Sequence, residues 1–349
     1  MLTLLLSLFA CAPAPTAAGD CPAGPGQVWD LDREVMRDSL DSALNVPGET
    51  VHLCLGDGKF PVDGPLLALD SDQVDPPDIH ITGQGAYRTL LVPGRVDGLR
   101  AVVHGELRLE GVSITGPVDL IGGQVDLRDV AIHGVQDPDL VGLVDISGGD
   151  VTVDGLTLTD NLIAADLLRI WGRSDSAVID VYDLAVYDNR ALWDFEIILG
   201  QGRVNLEHAW LSNNHVQRVD SPHHFVTLAG PTVAYDVHIQ GNNTNGPALS
   251  AFARLDAESL LVSENEGSWA TSVYLGAPAT LTKTLITGNR APNGAVGLYP
   301  SQSDRGSVWL QAVDLGAEEQ GCDISAQGVC LRDDLTLVGD LVCEAGGCR

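Results

Sequence analysis

The chain has 349 residues, 44% of them apolar, and its 48 acidic side chains outnumber 19 basic ones for a formal net charge of −29. That apolar content rules out a disordered acidic tail and is enough to bury a core in one to three domains. Nucleic acid and anionic lipid surfaces need compensating cations. Lys59 and Lys283 are the only lysines beside the arginines, so neither partner is expected.

Residues 1–18 open with an apolar run, Leu2 to Ala10, that is shorter than the roughly 20 residues a bilayer span needs and fits a signal-peptide core. The Pro/Ala stretch from Ala12 to Ala18 reads as a tether. Leu8-Phe9-Ala10-Cys11 resembles a bacterial lipobox, which implies lipidation of Cys11 and contact with a membrane only through that anchor. Cleavage near Ala18, releasing the chain, is the competing reading. Both predict export, to the outer membrane, the periplasm or beyond. Residues 19–50 are expected to form an N-terminal cap ahead of the main body.

From residue 51 to 316 a pattern recurs: apolar-x-apolar-x-x-apolar-x-apolar. Clear copies are Leu107/Leu109/Val112/Ile114, Val125/Leu127/Val130/Ile132, Val151/Val153/Leu156/Leu158, Ile179/Val181/Leu184/Val186 and Val204/Leu206/Ala209/Leu211. Looser ones start at Thr232, Leu255, Ala279 and Val308, and the mean spacing is about 25 residues. Alternation of period two means strands with one buried face, and the extra residue at mid-pattern breaks phase as a bend would. A unit this small cannot bury its apolar face alone, so successive units must stack as coils of a solenoid. Leucine-rich repeats would show another spacing, and propeller blades need about 40–45 residues. The expected fold is an all-β, single-stranded parallel β-helix of about ten coils, one domain and a monomer.

Three residues beyond the last apolar position lie Asn161, Asn189, Asn214, Asn242, Asn265 and Asn289. Six in register predict a structural ladder. Asn tolerates the left-handed backbone of a sharp bend, and stacked amides can bond along the column.

Residues 317–349 lose the repeat and gain cysteine, as a C-terminal cap would. Setting Cys11 aside leaves Cys21, Cys54, Cys322, Cys330, Cys343 and Cys348, an even number at the two ends of the chain. The tight Cys pairs of zinc sites are absent, so disulfides of an exported protein are the better reading. Proximity favours Cys21 with Cys54, Cys322 with Cys330 and Cys343 with Cys348, among the 15 connectivities that six cysteines allow.

The repeats, the opening Val46-Pro47-Gly48-Glu49-Thr50-Val51 and the segment Ile79-His80-Ile81-Thr82-Gly83-Gln84-Gly85 resemble right-handed parallel β-helix proteins of the pectin-lyase-like superfamily, over residues 28–335. The resemblance implies an amphipathic helix, Asp32 to Asn45, capping the first coil. It also implies a fold that hosts lyases, hydrolases, epimerases and non-catalytic surface proteins, so function must be argued from the site. Four family hydrolase motifs, Asn-Thr-Asp, Asp-Asp paired with it, Gly-His-Gly and Arg-Ile-Lys, do not occur as a set here.

Aligning Ile170-Trp171-Gly172, Ile198-Leu199-Gly200 and Leu228-Ala229-Gly230 stacks Asp166, Asp194 and His224, with Arg169, Arg190, Glu196, His208 and His223 nearby. Such carboxylates could ligate calcium or share acid and base roles on a glycan. A solvated acidic face is the bland alternative. Adjacent His223 and His224 would point to opposite strand faces and so would not chelate together. Trp171, Trp193, Trp210, Trp269 and Trp309 would stack sugar rings if exposed in line, and would otherwise pack in the core or turns. Asp166, Asp194 and His224 are thus the candidate catalytic residues, calcium the one cofactor suggested, and the metal ligands are unassigned. The expected role is binding or structural, towards polysaccharide at a cell surface. The alternative is a polysaccharide lyase or glycoside hydrolase.

Overall fold

Each repeat forms one coil. The computed structural model describes residues 21–44, 50–63, 66–68, 77–94, 98–193, 195–217, 224–244, 246–267, 272–290, 296–298, 308–311, 324–326, 329–330, 340–344 and 347–348. Within these the chain is a parallel β-solenoid of about eight regular turns, with partial rungs continuing its strand columns into both caps. About ten coils were expected; the difference lies in these irregular end rungs.

Three columns of strands make the walls. The first stacks Val51, Ile79, Leu107, Val125, Val151, Ile179, Val204, Thr232, Leu255, Ala279 and Val308 one above another. The second, just past the phase break, stacks Val130, Leu156, Val237 and Leu260 among others. The third stacks Leu99, Val118, Val144, Leu168, Ile197, Val226, Leu249, Val273 and Val296. A short five-stranded sheet closes the fourth side, running through Leu162, Arg190, His215, Asn243 and Glu266. The inward positions of the repeat are its apolar ones. Val151, Val153, Leu156 and Leu158 are fully buried, and each such side chain contributes about 1.5–3 kcal/mol. Where the coils of Val118 and Val144 turn from the third column into the first, a Cβ on Gly149 would lie 2.4 Å from the Gly123 carbonyl oxygen, so only glycine lets the corners stack.

The phase break is a left-handed residue in every regular coil: Gly111, Asp129, Gly155, Asp183, His208, Asp236, Ser259 and Lys283. A second left-handed column, Gly134, Asp160, Asp188, Asn213, Gly241, Glu264 and Gly288, falls immediately before the ladder position. This corrects one part of the sequence argument. The bend is made by the residue preceding each ladder Asn, and the Asn itself supplies the hydrogen bonds. All six ladder residues are buried. Asn161, Asn189, Asn214, Asn242 and Asn265 each donate through Nδ2 to the next Oδ1, at 2.9–3.0 Å.

The open ends of the first column are each covered by an antiparallel strand. Val28–Asp30 lies against Val51–Leu55, and Asp340–Glu344 lies against Val308–Gln311. Covering a solenoid's open edge removes the template for end-to-end pairing. The N-terminal helix is shorter than expected, Leu40–Leu44 rather than Asp32 to Asn45. The Asp30 carboxylate, fully buried, accepts from the backbone N–H and guanidinium of Arg33 and from the Arg37 guanidinium. That anchors the strand Val35–Arg37 as an antiparallel hairpin on Val28–Asp30. Helix then starts only at Ser39, whose hydroxyl accepts from the Ser42 N–H at 3.1 Å while Ser42 Oγ accepts from the Ser39 N–H, a reciprocal cap. Leu40 and Ala43 from this turn are buried in the solenoid's core.

Cys21 and Cys54 form a disulfide, tying the N-terminal segment to the first rung. Cys343 and Cys348 are direct partners in an antiparallel hairpin. Cys330 stands opposite Ser325, while Cys322 and Cys11 lie outside the described residues. No helix among the described residues is long and apolar enough to cross a membrane.

Candidate functional site

Outward positions of the third column form one row along the solenoid axis: Arg100, Asp119, Asp145, Arg169, Ile198, Thr227, Ser250 and Tyr274, one per coil. At about 4.8 Å per rung, the stretch from Asp145 to Tyr274 covers roughly 24 Å. Period-two alternation puts these side chains outside because their neighbours, such as Leu168, Ile170, Val226 and Leu228, fill the core.

The strand register overturns the alignment that stacked Asp166, Asp194 and His224. Ile170 pairs with Leu199, and Leu199 with Leu228, so Ile198 is one residue out of step. Glycine misled the alignment. Gly200 sits level with Trp171, where a Cβ would meet the Ala229 side chain at 2.5 Å, whereas Gly172 lies one place further along its coil. Counting back from Leu199 makes Phe195, buried against Phe225, the residue level with Asp166 and His224. Asp194 and His223 lie outside the described residues.

Asp166 and His224 occupy two distinct environments on this face. Asp166 Oδ2 accepts from Arg169 Nη2 at 2.8 Å, and Arg169 Nη1 lies 3.6 Å from Asp145 Oδ2 on the preceding coil. Burial pushes the Asp145 carboxyl above the usual Asp value. Arg169 opposes this, while Asp119 and Asp166 reinforce it. Asp145 is the residue the sequence argument missed, and burial raises its carboxyl above the usual Asp value. Two coils on, Thr227 Oγ1 donates to Glu196 Oε1 at 2.8 Å.

The His224 ring packs edge-on to Phe252, with centroids 5.1 Å apart, and tilted against Tyr274 at 5.8 Å; Phe252 and Tyr274 are 5.5 Å apart. Phe252 is 46% exposed. His224 Nδ1 and Ser250 Oγ share a hydrogen bond of 2.6 Å. The Ser250 residue is 0% exposed, so this pair orients the imidazole and does not present a hydroxyl nucleophile.

The other sequence candidates are dispersed. Arg190 lies on the short fourth sheet, where with Gln136, Asp160, Asp188 and His215 it lines a groove of about 820 Å³ beside the Asn ladder. His208 takes the left-handed bend between the first and second columns. Among the described residues no three His, Cys, Asp or Glu side chains converge closely enough to hold a metal ion. Trp193 and Trp210 are exposed, Trp171 is half-buried, and Trp269 lies outside the described residues. The chain matches no protein-family model, no curated protein and no solved structure, so the likeness to pectin-lyase-like proteins stays at the level of a parallel β-solenoid.

Proposed function

We propose that this protein is an exported, non-catalytic glycan-binding solenoid whose ligand lies along the outward row of the third column. One observation carries the reading. This face carries hydrogen-bonding groups, Asp145 and Arg169 of the row with Asp166 and Glu196 beside it, along the same axis as the ring cluster of half-buried His224 and Tyr274 and exposed Phe252. Aromatic faces pack against the C–H faces of sugars, and carboxylates and guanidinium accept from and donate to sugar hydroxyls. An extended glycan advances by about one sugar per rung spacing, so each unit can meet one coil. A net charge of −29 disfavours a polyanionic ligand and favours a neutral one. Export is supported by the Cys21–Cys54 disulfide, since such bonds persist in oxidising compartments. The N-terminal run with Cys11 supplies the proposed lipid anchor.

Affinity electrophoresis tests this. The mature chain would be run through gels cast with β-glucan, xylan, galactomannan or glycol chitin. Retardation by at least one, weakened in Phe252→Ala and Asp166→Asn, is expected; unchanged mobility in every gel overturns the proposal. A second reading, a glycoside hydrolase or lyase, is favoured by the raised Asp145 carboxyl beside the Arg169–Asp166 pair. It requires new reducing or unsaturated ends from a retained polysaccharide, lost in Asp145→Asn.

A further inference from the structure

Another side of the solenoid, on its first and second columns, carries a second set of rings. Trp210, 44% exposed, lies directly above His238 of the next coil, as its register partner, with ring centroids 4.8 Å apart. Its Nε1 donates to Ser212 Oγ at 3.2 Å, and His238 Nε2 lies 3.2 Å from Asp236 Oδ1. Across the bend, Tyr235, 45% exposed, meets the edge of His208 at 5.9 Å, and His208 Nδ1 lies 3.7 Å from Asp183 Oδ1. Val233 and Tyr182 continue this surface in the first column. The two exposed rings stand one rung and about three strand residues apart, on the order of 10 Å.

These rings are held before any ligand arrives. Each leans on a histidine from an adjacent coil, and each histidine faces a carboxylate beside it. A rigid aromatic platform loses little side-chain freedom on binding, and carboxylates and imidazoles at its edge suit sugar hydroxyls. A second copy of the chain is a poor occupant, because two bodies of this charge repel.

The platform also points away from the row on the third column. One interior space of about 10 Å³ is lined by Ile197, Leu199 and Val226 of the third column and by Leu206, Ala234 and Val237 of the first and second. Those walls therefore enclose one core from different sides, and their outward surfaces face different ways.

We propose that Trp210, Tyr235, His208 and His238 form a second neutral-oligosaccharide site, and that the protein thereby cross-links two glycan strands, one on each side. The second site stands on its own geometry. The cross-linking rests on the proposed function of the third-column row.

The test combines affinity electrophoresis with light scattering, using β-glucan, xylan, galactomannan and glycol chitin as probes and three proteins: wild type, the double variant W210A/Y235A, and the double variant F252A/Y274A. Of the four substituted rings, Trp210, Tyr235 and Phe252 are exposed and Tyr274 is half-buried, and circular dichroism checks that the variants fold. Expected is retardation of all three proteins, about tenfold weaker in each variant, equivalent to about 1.4 kcal/mol, with polysaccharide aggregation by the wild type alone. Quenching of tryptophan fluorescence by the retaining hexasaccharide should disappear in W210A. Unchanged binding and aggregation in W210A/Y235A overturns the second site and leaves the first standing. Binding lost in that variant and unaffected in F252A/Y274A supports the second site and overturns both the first site and the cross-linking. Quenching by tetramethylammonium, with none from any sugar, overturns the glycan assignment in favour of a cation site.

Discussion

Asn214 Nδ2 donates to Asn242 Oδ1 at 2.9 Å, and the Asn214 backbone N–H donates to the same oxygen at 3.0 Å. Asn214 Oδ1 in turn accepts both corresponding donors of Asn189, and its Nδ2 also reaches the Val186 carbonyl. One buried amide therefore satisfies polar groups of three coils. The ladder begins where Val135 stands at the equivalent position, with only its backbone N–H donating to Asn161 Oδ1.

The ladder predicts a cost that depends on position. Asn214→Ala leaves the buried Asn189 N–H without its side-chain acceptor and removes the side-chain donor to the Val186 carbonyl, so a loss of about 2–3 kcal/mol is expected. Asn161→Val also removes a backbone acceptor, that of the Val135 N–H, but no side-chain donor relies on Asn161 Oδ1, so it should cost less by about one side-chain hydrogen bond. Urea titrations of both variants measure the difference. Equal midpoints would mean that the amides are not coupled along the column.

The inward face of the repeat is tested with a charge. Leu156 is fully buried and Leu184 nearly so, both within the continuous apolar core. Leu184→Asp should therefore prevent cooperative folding, since burying an unpaired charge costs several kcal/mol. A soluble variant with a wild-type urea transition would remove the assigned inward face.

The Cys21–Cys54 bond closes a segment of 33 residues around the N-terminal hairpin and helix. Loop-closure entropy for that length amounts to about 3–4 kcal/mol. Cys54→Ser should lower stability by about that much and make the melting temperature insensitive to dithiothreitol, where the wild type's falls. A wild-type melt unaffected by reductant would show that the bond does not form in solution.

What the sequence discloses here follows its periodicities. Val151, Val153, Leu156 and Leu158 could be assigned inward because strand alternation is local and repeats one coil later. The ladder could be counted for the same reason. The left-handed bend falls one residue before the ladder because that column mixes Gly, Asp, Asn and Glu, whereas the position after it repeats Asn in six coils and drew the assignment. The Asp166 and His224 surroundings depended on a register across loops of unequal length, and glycines that serve different close approaches cannot fix it. Asp145 carries no motif at all, since burial and neighbouring coils raise its carboxyl. The Trp210–His238 pair was within reach: adding to Trp210 the offset that pairs Leu211 with Ile239 arrives at His238.

The first two coils carry a pH dependence of their own. His52 and His80 are register partners with rings stacked at 4.4 Å. His52 Nδ1 lies 2.9 Å from Asp32 Oδ1, and His80 Nε2 lies 3.5 Å from Glu106 Oε2. Burial holds the His80 pKa below the ordinary histidine value, and the charges of His52 and Arg108 reinforce this against Glu106 and Asp78. The folded state then binds this proton less readily than the unfolded chain. His80 contributes full stability above the unfolded value of about 6.5, and loses it as pH falls from there through the lower folded value. Urea midpoints measured at about pH 7.5 and about pH 5.5 should fall on acidification in the wild type, and fall less in His80→Gln. His52→Gln should also flatten the dependence, because it removes the neighbouring positive charge while keeping a planar amide beside His80. If both variants track the wild type across this interval, the stacked pair does not set the stability of the N-terminal coils.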